Sequence, residues 1–275
     1  MKKIIFTVSI GIILLILFSS TTKPVYNAVV SSASPEATAI GIKILESGGN
    51  TIDAVVAISF ALGVSEPAMS GIGGGSQLLI SIPGKEPFLI NGTTYAPALT
   101  DPMIPGDSLT YHKRATIPST VKVLDYALKK YGSGKFSWSQ LLEPSIKLAR
   151  DGFIVGRFRA DVYKMYEKSM TGSPYHTQLW LKDGNQLPVI GDKITQPVLA
   201  KTIERLAKFG ADDFYKGEIA KAISKDMEQN GGWIRVNDLK KIPEPKELPA
   251  LRINYKGYDV FSMPPPGAGY AVLQL

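Results

Sequence analysis

The chain has 275 residues, 31 basic and 24 acidic side chains, a formal net charge of +7, and no cysteine. Disulfides, thiolate nucleophiles, iron–sulfur clusters and cysteine-built zinc sites are therefore excluded, and His112 and His176 alone are a poor basis for a metal centre. Hydrophobic residues at 44% and charged residues at 20% describe a globular chain long enough to bury a sizeable core. The basic pairs Lys129-Lys130 and Lys240-Lys241 lack interleaved aromatics and read as solvated faces, so no nucleic-acid partner is expected.

Lys2-Lys3 precedes an apolar run from Ile4 to Phe18, broken only by Thr7, Ser9 and Gly11 and closed by Ser19, Ser20, Thr21 and Thr22. This is the pattern of a secretory signal over residues 1–24, or of an uncleaved signal anchor, because no A-x-A cleavage site is clear. Residues 25–275 are then the exported part, and the N-terminal segment is its sole expected membrane contact.

Ala28 to Ser32 reads as a short buried strand. Ser34, Pro35 and Glu36 form a helix start, with the helix running to about Ser47 and leaving through Gly48-Gly49. Thr51 reads as the cap of a second helix, with Asp53 in its first turn. The body of that helix, Ala54 to Leu62, is apolar all round and so belongs between layers. Gln77 to Ile82 and Pro87 to Asn91 are strands around the turn Pro83-Gly84-Lys85-Glu86. Residues 100–118 read as irregular. Helices follow over Thr120–Tyr131, Ser139–Asp151, 157–169 (rich in charge), 196–209 and 213–229, with Lys216-Gly217 ending one helical turn before Glu218 starts the next. Residues 171–195 look loop-like, and Pro243, Pro245 and Pro249 mark a linker. Leu251 to Ser262 is a hairpin turning at Lys256-Gly257. Tyr270 to Leu275 opens an apolar element with no cap, which reads as a chain cut inside an element.

The strongest local feature is Ser70-Gly71-Ile72-Gly73-Gly74-Gly75-Ser76. It is not a dinucleotide fingerprint: position 76 is serine where a third glycine is needed, and the loop follows a helix and opens a strand, the reverse of the required order. No Gly-Lys-Ser/Thr follows, so a phosphate loop is also excluded. Gly71, Gly73, Gly74 and Gly75 instead allow backbone to pass close to another element at positive φ if required, either for packing or as the lining of a substrate pocket. Asp53 reads as a helix-start carboxylate. Glu66 reads as an anchor for the loop's N–H groups, and Trp180 and Trp233 as packing aromatics. The pairs Thr21-Thr22 and Thr93-Thr94 read as linker and strand end, not as nucleophiles.

Gly48-Gly49-Asn50-Thr51-Ile52-Asp53-Ala54-Val55-Val56-Ala57, Glu66-Pro67 and the glycine loop resemble the signature region of the gamma-glutamyltranspeptidase family. Further motifs run in the same order: Tyr95-Ala96-Pro97, Ile117-Pro118, Leu148 to Phe153, Phe214 to Gly217, Asn230-Gly231-Gly232, Asp238-Leu239, Tyr255 to Tyr258 and Met263 to Pro266. The resemblance implies an α/β (α+β) Ntn-hydrolase fold, a four-layer αββα sandwich, with this chain as the incomplete N-terminal part of the large subunit.

It also implies an enzyme that cleaves γ-glutamyl compounds such as glutathione and passes the acyl group to water or to an amino acid or peptide. The nucleophile would be the N-terminal threonine of a small-subunit segment beyond this sequence, so no catalytic residue, cofactor or metal is expected within it. The family's carboxylate-binding arginine, counted back from Ala96-Pro97, falls on Thr93, a neutral donor where a charge-assisted clamp is expected. Lys113 or Arg114 would have to substitute, or the acyl donor is not glutamyl. A truncated, non-catalytic remnant or exported binding module is the alternative outside enzymology.

Overall fold

A computed structural model describes residues 27–101, 109, 111–172 and 174–275. The signal segment expected over residues 1–24, including Thr21-Thr22, lies outside them. The chain divides into two units, Met1–Val30 and Ser31–Leu275. Among the described residues no helix is long and apolar enough to cross a membrane. The strand expected over Ala28 to Ser32 does not form, and Val29 is 88% exposed. A β-branched run needs a partner strand for its N–H and C=O groups, and none among the described residues pairs with it.

In the second unit, α1 (Pro35–Glu46) starts as its sequence dictates: the Ser34 hydroxyl accepts from the Ala37 N–H at 3.1 Å. α2 (Thr51–Ser65) is capped by Asn50, not by Thr51. The Asn50 Oδ1 accepts from the N–H groups of Ile52 and Asp53, and the Asp53 carboxylate accepts in return from the Asn50 N–H at 2.9 Å. Thr51 is already helical and so one residue too late to cap. Ala54, Val56, Ala57, Phe60 and Val64 bury α2 in the main core, with the Trp138 ring edge-on to Phe60 at 5.4 Å.

α3 (Thr120–Tyr131) covers one face of the sheet, packing Val123 and Ala127 on Ile80 and Ile90. α4 (Trp138–Asp151) begins at a Ser137–Gln140 capping box and packs Leu141, Leu142 and Ile146 against Ala200, Ile203 and Leu206 of α8 (Pro197–Phe209).

The sheet is antiparallel, in the order β1 (Ser76–Ile80), β2 (Phe88–Gly92), β5 (Lys246–Pro249). Ser76 pairs with Gly92, and Phe88 with Pro249. The expected linker is therefore irregular at Pro243 and Pro245 but ends in an edge strand that contains Pro249: proline is tolerated on an edge because the missing N–H faces no neighbour.

The charged stretch after Asp151 is two helices, α5 (Arg157–Met165) and α6 (Glu167–Met170). The expected loop over 171–195 contains α7 (Pro174–Trp180) and β4 (Lys193–Ile194), which pairs with β3 (Phe153–Ile154). These elements are too short to show a period. They hold together through a small cluster in which Val155, Tyr163 and Met170 are buried against Trp180 and Leu187.

The stretch over 213–229 is α9 (Asp212–Lys216) and α10 (Glu218–Gln229), broken at Gly217. A Cβ on Gly217 would overlap the Asp213 carboxylate. That carboxylate is held by Arg205 at 2.6 and 2.8 Å and accepts from the Glu218 N–H at the start of α10. A short helix, α11 (Val236–Lys240), precedes β5. The final hairpin, β6 (Leu251–Tyr255) and β7 (Tyr258–Ser262), turns at Lys256 and Gly257, both at positive φ, and leads to α12 (Gly269–Gln274).

Candidate functional site

The register of β1 on β2 sets Gly75 beside Thr93 and Thr94, because Ser76 faces Gly92 across the ladder. A Cβ on Gly75 would come within 2.6 Å of the Thr94 methyl, and one on Gly92 would overlap Val123. Those two glycines are required by close approach. Gly71 and Gly73 are exposed; a Cβ on Gly73 would meet open space, and one on Gly71 or Gly74 would make only ordinary contact. None of the four loop glycines adopts a left-handed φ, so the expected use of positive φ is not what selects them.

The loop is tied to α3 through its backbone. The Gly74 carbonyl accepts from the N–H groups of Ser119 and Thr120 at 2.9 and 3.1 Å, and the Ser76 and Thr120 hydroxyls bond at 2.9 Å. The Ser119 hydroxyl donates to the Gly92 carbonyl instead of capping its own helix. Tyr215 supplies the next cap, its hydroxyl oxygen accepting from the Lys122 N–H at 2.9 Å. A cleft of about 550 Å³ opens between this loop, Ser59 and Leu62 of α2, and Thr120.

Thr93 closes a neutral polar cluster at the end of the hairpin. Its hydroxyl donates to Asn91 Oδ1 at 2.7 Å and accepts from Gln77 Nε2 at 3.2 Å. Asn91 Oδ1 also accepts from Gln77 Nε2 at 3.0 Å and from the Thr93 N–H at 3.1 Å. The Thr93 proton is thus already engaged, and a carboxylate ligand would have to compete for it. Sequence reasoning missed Gln77 and Asn91, although the alternation of β1 and β2 places both on the face opposite the one that α3 covers.

Both candidate cations have other partners. Arg114 Nε donates to the Leu109 carbonyl at 2.5 Å, and the Lys113 ammonium lies 5.4 Å from the centre of the Trp233 ring. Among the described residues no hydrogen bond joins either to Thr93.

Below the loop entrance, Glu66 takes a different partner from the one expected. Its backbone carbonyl, not its carboxylate, receives the N–H groups of Met69 and Ser70 at 3.0 and 2.8 Å. The carboxylate pairs at 3.2 Å with Arg159, whose guanidinium also grips Glu36 and the carbonyls of Ser65 and Ile154. Burial pushes the Glu66 carboxyl up, and Arg159 only partly offsets it. Glu36 also feels burial, but its bonds to Arg159 and Ser34 outweigh it and hold that carboxyl below the usual range. Arg159 is buried although it lies on the charge-rich helix α5, and nothing in the local sequence marks it as buried. His112 bonds to Asp226 at 3.0 Å in an exposed setting.

The Gamma-glutamyltranspeptidase family profile matches residues 37–275. The glutathione hydrolase proenzyme of Escherichia coli (strain K12) is 38% identical over 250 residues, which is 87% of this chain and 42% of that protein. The glutathione hydrolase proenzyme of Bacillus subtilis (strain 168) is 35% identical over 254 residues, 88% of this chain and 42% of that protein. The crystal structure of Helicobacter pylori gamma-glutamyltranspeptidase superposes with a TM-score of 0.84 at 34% identity, covering 91% of this chain and 74% of that one. The chain thus spans less than half the length of these two curated relatives.

Proposed function

The chain belongs to the gamma-glutamyltranspeptidase family, and from that premise we propose that it forms the N-terminal part of an exported enzyme that cleaves γ-glutamyl amides such as glutathione. The observation that carries the reading is the likeness to a solved gamma-glutamyltranspeptidase over 91% of the chain, with the glycine loop and the Ala96-Pro97 segment both present. The fold is the mixed helix-and-sheet fold of that family's Ntn hydrolases. Export is supported by Lys2-Lys3 and the apolar run behind them.

In this reading a small-subunit segment supplies a threonine at its N-terminus. The threonine hydroxyl attacks the γ-carbonyl carbon and gives its proton to the threonine's own α-amine. The carbon–nitrogen bond of the amide then breaks as the leaving amine takes that proton. Water or an amine acceptor then displaces the threonine oxygen from the acyl group. This chain contributes the cleft beside the loop, with open space at Gly73.

The neutral Gln77–Asn91–Thr93 cluster supports a second reading for the acyl group. With no cation among the described residues bonded at Thr93, an acyl donor without an α-carboxylate suits the cluster better than a glutamyl group does. The test uses the whole gene product with γ-glutamyl-p-nitroanilide and its des-carboxy analogue, comparing the natural protein with Thr93→Arg. The glutamyl reading predicts hydrolysis of the first substrate and a lower KM for it in Thr93→Arg. Preferential cleavage of the des-carboxy analogue by the natural protein assigns a different acyl donor. Cleavage of neither assigns a non-catalytic role.

A further inference from the structure

We propose that the half-open cavity walled by Pro67, Tyr163, Tyr166, Met170, His176 and Trp180 binds one uncharged aromatic ring carried on a peptide-like ligand. The proposal stands on the geometry of the cavity and goes beyond the acyl-transfer reading.

The size selects a single ring. The cavity holds about 170 Å³, and an apolar cavity of about 150 Å³ takes up benzene. Its walls suit an aromatic guest: four rings offer edge and face contacts, and the buried Met170 thioether adds a polarizable surface. These walls come from three separate places, the α2–β1 connection, the α5–α6 pair and α7, so the cavity belongs to the tertiary packing and not to one amphipathic face.

The charge of the surroundings excludes an ionic guest. The nearest strong cation, Arg159, has all three guanidinium nitrogens bonded to Ser65, Glu66, Glu36 and Ile154. Glu66 is compensated by the same arginine and is only 4% exposed. Tyr163 remains a neutral phenol at ordinary pH, since burial pushes it up to about 12. Among the described residues the cavity wall holds no carboxylate, Lys or Arg, so an ion placed here would lose its hydration without a charged wall residue of those kinds to replace it.

The cavity shares two wall residues, Pro67 and Trp180, with a wider cleft of about 680 Å³ that reaches Ser70 and Gly71 of the glycine loop. The wider cleft is more polar, with Ser70, Thr195 and Gln196 in its wall. A ring seated between Tyr163 and Trp180 therefore leaves its backbone in a space that offers hydrogen-bonding groups. That combination fits an aromatic residue within an amide or short peptide.

The test is calorimetric titration of the full chain with N-acetyl-phenylalanine amide, and with the N-acetyl amides of alanine and glutamate as controls. Saturable binding of the phenylalanine compound is expected, weaker by at least about tenfold for alanine and glutamate, because the ring supplies the buried apolar area. Ala68→Phe, at an exposed lining position, is expected to fill the cavity and weaken phenylalanine binding to the level of alanine. If Ala68→Phe does not fold, Tyr166→Ala removes one wall and is expected to weaken binding in the same way. Equal affinity for the three amides, no binding, or binding unchanged in a folded variant overturns the proposal. Hydrolysis is not a readout, so failure here leaves the γ-glutamyl reading untouched, and the reverse.

Discussion

Arg159 and Glu66 form an ion pair at 3.2 Å in which neither side chain exposes more than 5% of its surface. It joins α5 to the end of α2, directly below the chain that enters the glycine loop. Such a pair stabilises little relative to an apolar substitute, but removing one partner leaves a buried charge.

Arg159→Met is therefore expected to cost about 3–5 kcal/mol in urea unfolding at neutral pH. The double variant Arg159→Met with Glu66→Gln should recover part of that loss. The pH dependence carries a sign. Without Arg159 the Glu66 carboxyl rises further, so the folded chain holds this proton more tightly than the unfolded one does. The deficit should then be largest at high pH and shrink as Glu66 protonates. A deficit that grows on acidification would show that Glu66 is not the strained group.

The loop glycines separate into two kinds, and stability measurements distinguish them. Gly75→Ala should destabilise the chain by about 1–3 kcal/mol through the Thr94 methyl, and Thr94→Ala should relieve it. Gly73→Ala meets open space and should change stability by less than about 0.5 kcal/mol. Equal losses at the two positions would place the constraint in backbone conformation instead of contact.

Gly217→Ala tests the break between α9 and α10. The new methyl would displace Asp213 from Arg205 and from the Glu218 N–H together. A loss of about 1–3 kcal/mol is expected, together with lower helicity by circular dichroism.

Asp213 also gives the acid limb a direction. Arg205's hydrogen bonds hold its carboxyl below the usual range, despite some burial and with help from the N–H of Glu218. The unfolded chain takes up that proton first, so this stabilisation is complete above about pH 4 and fades as pH falls through the folded value. Asp213→Asn should be less stable than the natural chain at pH 7, and the gap should close towards pH 2. A gap that stays constant with pH would mean that packing, not charge, is what the substitution removed.

The sequence was most legible where a structural rule is local. Ser34-Pro35-Glu36 announced a helix start, Lys256-Gly257 announced a hairpin, and the apolar circumference of α2 announced burial between layers. Reading failed where the deciding partner is distant. The edge strand Lys246–Pro249 is a strand because Phe88 to Asn91 lies beside it, and α7 is ordered by a cluster drawn from several short segments. Arg159 and Gln77 carry no mark of their roles, because a long polar side chain looks the same in sequence whether it meets water or a buried carboxylate. The hydrogen bonds that Thr93 makes with Asn91 and Gln77 were not legible from Ala96-Pro97.

The start of α3 depends on parts it does not own. Ser119 turns its hydroxyl away, and the Gly74 carbonyl from upstream and the Tyr215 hydroxyl from downstream take up the free N–H groups. An isolated copy of this helix would fray at that end, because a helix's first N–H groups have no partners of their own. The first turn of α3 is therefore held by contacts that reach back to the glycine loop and 93 residues forward to α9, the kind of long-range closure whose chain entropy slows folding in general.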